Sequence, residues 1–198
     1  MFYQPRLGDH GLALDPFKAL IVPRPIGWIG TVDRAGVVNL APYSFFNAVS
    51  DQPPHVMFSS DGAKDSLRNA EETGEFVCSL ATFALREEMN ATSATVAPEI
   101  DEMALAGLEK APSRLVRPPR VAASPAAFEC RTWKIVDLPG SGEGRRYAMV
   151  IGEVVGIHID DRFIVDGRVN TAGMEPISRL GYSEYGVTRE VFRMRRPE

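Results

Sequence analysis

Lys64, Asp65 and Ser66 stand side by side just ahead of a stretch with helical spacing. Leu67, Ala70 and Glu71 follow the i, i+3, i+4 pattern, and Gly74 sits where a left-handed stop belongs. A helix over residues 65–73 is predicted, and its first turn presents free backbone amides and the positive end of the dipole, where an anion is favoured. Lys64 adds a point charge and Ser66 an O–H donor. A phosphate fits this group, as does plain capping of the helix by Asp65 or Ser66. Ser44, in a loop after Pro42, either donates to the same anion or steadies its own turn. Arg24, held extended between Pro23 and Pro25, is a third cation for the anion or a solvated surface residue.

A second group of polar residues lies just upstream. The run IGWIGTV (residues 26–32) alternates Ile26, Trp28, Gly30 and Val32 against Gly27, Ile29 and Thr31, which is a strand by period. Asp33 to Gly36 makes a hairpin turn, and residues 37–41 return as the partner strand, with Pro42 expected to end the pairing. With a three-residue loop at residues 34–36, Thr31 and Asn39 face each other across the hairpin and offer donors and acceptors to a polar ring edge. Trp28 and Tyr43 either shield such a ring or join the core. A phosphate carrying a flat polar ring would answer all of these groups, and flavin mononucleotide (FMN) is the reading.

The remaining chemistry is defined by what the sequence lacks. His10, His55 and His158 are far apart, with no H-x-x-x-H or C-x-x-C spacing, so no metal centre is expected. There is no G-x-S-x-G elbow, G-x-G-x-x-G fingerprint or P-loop. A cofactor carrying its own reactivity would account for a chain so short of acid-base and nucleophilic equipment.

The chain has 198 residues, 44% hydrophobic and 24% charged, so one domain over residues 1–198 with a full core is expected. Its net charge of -4 argues against a nucleic-acid partner. The basic cluster at residues 189–196 is broken by Val191, Phe192 and Met194 and is expected to be an edge strand. No apolar stretch is long enough to span a membrane and the start lacks a signal-peptide design, so a cytoplasmic protein is expected. Cys78 and Cys130 fall in strand-like runs and read as buried, reduced thiols. Further strands are predicted at residues 55–60, 76–80, 128–136 and 147–159. Short helices fall at 83–89 and 100–108, a turn at 139–144, a hairpin about Asp166-Gly167 and a last strand at 187–194. Six or more closely spaced strands without βαβ alternation favour an antiparallel barrel or sandwich.

The segment RPIGWIGTVDRAGVVNLAPYSFFNAVSDQPPHVMFS, with KDSLRN after it, closely resembles the flavin reductase-like, FMN-binding split-barrel family. That family includes flavoredoxin and the flavin reductase components of two-component monooxygenases. The similarity continues through TGEFVCSLA, EEMNATSA, PPRVAASPAAFEC, GEVVGIHIDD and RLGYSEY. It implies a mainly β protein, a six-stranded antiparallel split β-barrel of Greek-key topology with a few short helices, paired as a homodimer. It implies that Thr31, Asn39, Ala41 and Ser44 meet the flavin ring and ribityl chain. Ser59, Lys64, Asp65 and Ser66 would hold the lower ribityl chain and phosphate, with Arg24 assisting. It implies hydride transfer from NADH or NADPH to flavin N5, and delivery of reduced flavin or electrons to an oxygenase or redox partner. The alternative is an FMN-binding electron carrier or store without nicotinamide chemistry. One departure stands out: Tyr182 follows Gly181 where the family often has a second glycine, which would narrow the mouth of the site.

Overall fold

The structure, a computed structural model, describes residues 1–140 and 146–197. Seven antiparallel strands form one sheet. They are β1 (Gly27–Val32), β2 (Val38–Tyr43), β3 (Phe46–Asp51), β4 (Pro54–Asp61), β5 (Glu75–Leu80), β6 (Ala126–Leu138) and β7 (Tyr147–Ile159). Their spatial order is β2-β1-β5-β6-β7-β4-β3. The two edge strands, β2 and β3, are consecutive in the chain and joined only by Ser44 and Phe45. The sheet therefore curls until its edges meet through the covalent chain, without a ladder between them. The mainly β, split-barrel expectation holds, with β3 as a strand where a loop was expected.

Two close approaches require glycine. A Cβ on Gly27 would lie 2.5 Å from the Phe46 ring, where the two edges of the sheet come together. A Cβ on Gly152 would lie 2.4 Å from the Phe76 ring inside the barrel. The β1–β2 hairpin turns as predicted: Thr31 is paired with Asn39, and the Asp33 carboxylate takes the Val37 amide at 2.8 Å. Pro42, however, does not end the pairing, for it sits opposite Trp28 within β2. The Leu40 amide points away from β1, and Pro42, two residues on, presents the same side of an edge strand, so no ladder bond is lost.

Helix α1 (Asp65–Thr73) starts and stops where its spacing says, with Gly74 at φ 72°. It packs Leu67 and Ala70 against Ile29, Phe58, Phe76 and Val150 inside the barrel. On the other face of β1 and β2, Trp28, Val32 and Leu40 pack beneath Met89 of α2 (Arg86–Ala91) and Met103 of α3 (Glu102–Leu105). Trp28 is fully buried there, and the core outcome is the one realised. Cys78 and Cys130 are buried free thiols in the barrel core, and burial pushes the Cys78 pKa up to about 12.

A smaller three-stranded ladder joins Arg24–Pro25 to β8 (Ile177–Arg179) and β9 (Tyr185–Val187). The strand expected over residues 187–194 is not formed: only Val187 is in a strand, as the last residue of β9, because β8 is only three residues long and offers nothing further to pair with. Beyond it, Arg189 pairs with Glu175 at 2.8 Å and stacks over Phe83. The expected hairpin at Asp166-Gly167 is present, both residues having positive φ. The turn expected at residues 139–144 falls largely outside the described residues.

Candidate functional site

The ends of β2 and β4 and the start of α1 surround a cleft with two lobes, of about 500 and 570 Å³, within the usual range for a small-molecule site. Pro42, Tyr43 and Lys64 line both lobes and form the seam between them. One lobe has an aromatic wall from Phe17, Tyr43, Phe45 and Tyr147, with Ser44 and Ser59 among its polar groups. The other is bounded by Asn39, Ala41, Asp65 and Ser66, by the chain at Thr92–Val96, and by Glu102.

Seven of the nine residues singled out in the sequence therefore line this cleft: Asn39, Ala41, Ser44, Ser59, Lys64, Asp65 and Ser66. Thr31 lies beneath it, fully buried. There its Oγ1 accepts from Asn39 Nδ2 at 3.3 Å and from Asn69 Nδ2 at 3.1 Å. Arg24 is brought elsewhere. Its guanidinium donates to the carbonyls of Lys18, Ile21 and Leu180, fixing the Phe17–Leu20 turn that walls the aromatic lobe. Tyr182 lines neither lobe. Its carbonyl accepts from Arg179, and the preceding Gly181 packs on Ala19.

No side chain caps α1. Asp65 is turned to Arg68, 2.6 Å away. Ser66 Oγ accepts from Asn39 Nδ2 at 2.8 Å, which leaves the serine O–H to donate. The first-turn amides and the Lys64 ammonium, the latter 5.9 Å from the Tyr43 ring centroid, thus share one end of the cleft. Burial pushes the Tyr43 phenol up, partly opposed by the Ser66 and Ser60 hydroxyls, so it is neutral at physiological pH. This donor set, a cation with uncapped amides and the Ser66 hydroxyl beside an aromatic wall, fits a phosphate carrying a flat ring.

Sequence reasoning missed the other side of the cleft, namely Arg68, residues 92–96, Pro98 and Glu102. The Thr92 hydroxyl, accepting from Trp28 Nε1 at 2.9 Å, ties that segment to the barrel, and no periodicity in the Ala- and Pro-rich stretch announces it. Among the described residues no group of three or more His, Cys, Asp or Glu is placed to hold a metal ion, and no helix is long and apolar enough to cross a membrane.

The chain is similar both to other protein sequences and to solved structures. An uncharacterized protein of Halalkalibacterium halodurans is 37% identical over 182 residues, 89% of this chain and 87% of that one. The crystal structure of nitrilotriacetate monooxygenase component B from Bacillus cereus superposes with a TM-score of 0.89 at 31% identity, covering 98% of both chains. That of Pseudomonas fluorescens 2-nitrobenzoate 2-nitroreductase gives 0.82 at 30% identity, over 91% of this chain and 88% of that one. Residues 19–171 match the family described as flavin reductase like domain. The fold, the cleft and these likenesses agree: this chain belongs to the flavin reductase-like family.

Proposed function

We propose that the protein is an FMN-dependent oxidoreductase that takes electrons from NADH or NADPH and passes reduced flavin, or electrons, to a partner such as an oxygenase. The observation that carries this reading is the position of Lys64 and the α1 amides at the seam of the cleft, next to an aromatic lobe. Lys64, the Ser66 hydroxyl and the backbone of Asp65 and Ser66 hold the phosphate; Ser44, Ser59 and the β2 backbone at Ala41 orient the ribityl chain and ring. Asn39 and Thr31 act from behind by holding the Ser66 oxygen, and Arg24 acts through the Phe17 wall. The chemistry that FMN supplies when bound is acceptance of a hydride at N5. The chain contributes orientation and exclusion of water, and no side chain of the cleft need move a proton.

The whole chain serves as one FMN-binding domain, working as a homodimer in the cytoplasm. Phe17 and Phe45, exposed at 49% and 39% on the rim of the aromatic lobe, supply apolar surface for a second copy to cover. The likeness to a monooxygenase component B supports delivery of electrons to an oxygenase. The test is the visible spectrum of the FMN-loaded protein titrated with NADH and then NADPH without oxygen. Bleaching by either is expected; a spectrum unchanged by both would leave an FMN carrier without nicotinamide chemistry.

A further inference from the structure

A second cavity lies at the far end of β7, on the outer face of the sheet. It measures about 360 Å³, and Arg114, Leu115, Glu129, Gly156 and His158 contribute to its lining. Tyr147 on the aromatic lobe and His158 here sit toward opposite ends of one strand, separated by about 35 Å of extended chain. Phe128 and Cys130 pack on the barrel core, so alternation turns Ala127 and Glu129 outward. Glu129 stands opposite Gly156, and His158, two residues further along β7, shares its face. Residues 113–118 cross this face as a strap, closed by the Ser113 hydroxyl on the Pro118 carbonyl at 2.6 Å and seated by Val116 against Val77 and Ala127. Glu129 is fully buried, and it receives the amides of Arg114 at 2.8 Å and Leu115 at 2.6 Å together with His158 Nε2. Burial raises its pKa, but the imidazole and the two amides outweigh this and bring it below the ordinary range. The carboxylate is therefore an acceptor, and the proton of the shared contact resides on Nε2. Among the described residues nothing bonds the other ring nitrogen, Nδ1, and nothing pairs with the exposed Arg114 guanidinium.

We infer that this cavity binds a small monocarboxylate, its oxygens shared between the Arg114 guanidinium and His158 Nδ1 and its short apolar body laid on Leu115. The proton that Nδ1 donates arrives with the ligand, as the neutral acid or from solvent, and leaves an imidazolium between two carboxylates. Glu129 behind the ring offsets one of the two cations, so a single negative charge is matched and a dianion such as phosphate is not. The strap is already pinned, with Arg131 Nη2 on the Leu115 carbonyl at 3.5 Å and the Arg117 amide on Glu75 at 3.0 Å, so the ligand meets a formed site. This inference does not rest on the FMN reading.

The test is NMR of the full chain with isotope-labelled histidine ring nitrogens, titrated with butyrate, butan-1-ol and inorganic phosphate, with and without FMN. The chain has three histidines, and the His158 signals are those missing from His158→Gln, whose amide N–H replaces Nε2 as the donor to Glu129. Butyrate should move the His158 signals saturably toward the imidazolium position while those of His10 and His55 stay. Butan-1-ol and phosphate should bind at least about tenfold more weakly, for want of the charge or for excess of it. Arg114→Gln should weaken butyrate about fivefold, the worth of an exposed ion pair, and Arg114→Lys should recover most of the loss. Neither substitution should lower the melting temperature, since the backbone amide of Arg114 and not its side chain holds the strap. Butyrate that leaves the His158 signals in place, moves all three histidines alike or binds Arg114→Gln as tightly as the native protein would overturn the inference. So would phosphate binding as tight as that of butyrate, or displacement of butyrate by FMN, which would place it in the other cleft.

Discussion

Replacing Lys64 by Ala isolates the phosphate role from every other feature of the cleft. The ammonium stands at the seam of the two lobes, exposed, and contributes no side-chain bond to the helix it precedes. Its attraction to a phosphate at about 4 Å is worth about 4 kcal/mol at an effective dielectric of about 20 and about 1 kcal/mol in water. An exposed lysine belongs nearer the lower figure, and about 1.5–2 kcal/mol corresponds to a loss of about 10- to 30-fold in FMN affinity. Riboflavin has the same ring and ribityl chain but no phosphate, so its affinity should change by less than about twofold. Flavin fluorescence titration of both ligands on both proteins gives the comparison. Repetition at high salt should shrink the FMN difference, since an exposed pair is screened within about 3 Å at 1 M. The melting temperature should hold, because the Lys64 carbonyl that receives the Arg68 amide survives the substitution. Equal losses for FMN and riboflavin would refute the placement of the phosphate at Lys64, and so would a salt-independent loss.

Two further substitutions probe what holds the cleft. Arg24→Ala strands the carbonyls of Lys18, Ile21 and Leu180 and should cost about 3 kcal/mol or more in urea denaturation, with FMN and riboflavin weakened alike because the Phe17 wall loosens. Glu129 is fully buried beneath His158 and the amides of Arg114 and Leu115. Burial alone would raise its pKa, but the His158 contact and the two amides together bring it below the ordinary value. A carboxyl depressed in the folded state stabilises above its unfolded pKa of about 4.3 and loses that contribution as pH falls through the folded value. The melting temperature of the native protein should therefore drop more steeply between about pH 5 and pH 3 than that of Glu129→Gln; parallel curves would show that the carboxylate contributes nothing to acid stability.

Local patterns made much of this protein legible. The β1–β2 hairpin and α1 carry their turn and stop signals, Asp33, Gly36 and Gly74, within a few residues of the elements they bound. The Thr31–Asn39 register followed from loop length alone. What the sequence concealed depends on distant partners. β3 is exposed along almost its whole length and lacks the alternation that marks a half-buried strand; it exists because β4 offers it a ladder. Arg24 has the composition of a ligand-binding cation, yet three carbonyls from segments at 18, 21 and 180 surround it, and no spacing near Arg24 reveals Leu180. Glu102 reaches β2 across more than sixty residues of sequence for the same kind of reason.

The position of the cleft follows from how this barrel fails to close. A sheet edge leaves amides and carbonyls without ladder partners, and a protein must cover or blunt them. On β2 the outward amide of Leu40 is met by a carboxylate, and at Pro42 the amide is missing altogether. The edge strand is thereby protected by single side chains instead of another strand, and the space beside it stays open. α1 enters that space end-on, so its uncapped first turn faces the opening instead of a neighbouring strand. A ligand with both a flat apolar face and an anion matches the two surfaces that such a split exposes, an aromatic wall along Tyr43 and Phe45 and a positive helix start at Lys64. Closing the ladder between β2 and β3 would satisfy the backbone equally well and abolish the cleft. The Ser44-Phe45 connection, too short to form a strand of its own and long enough to hold the edges apart, is the feature that keeps it open.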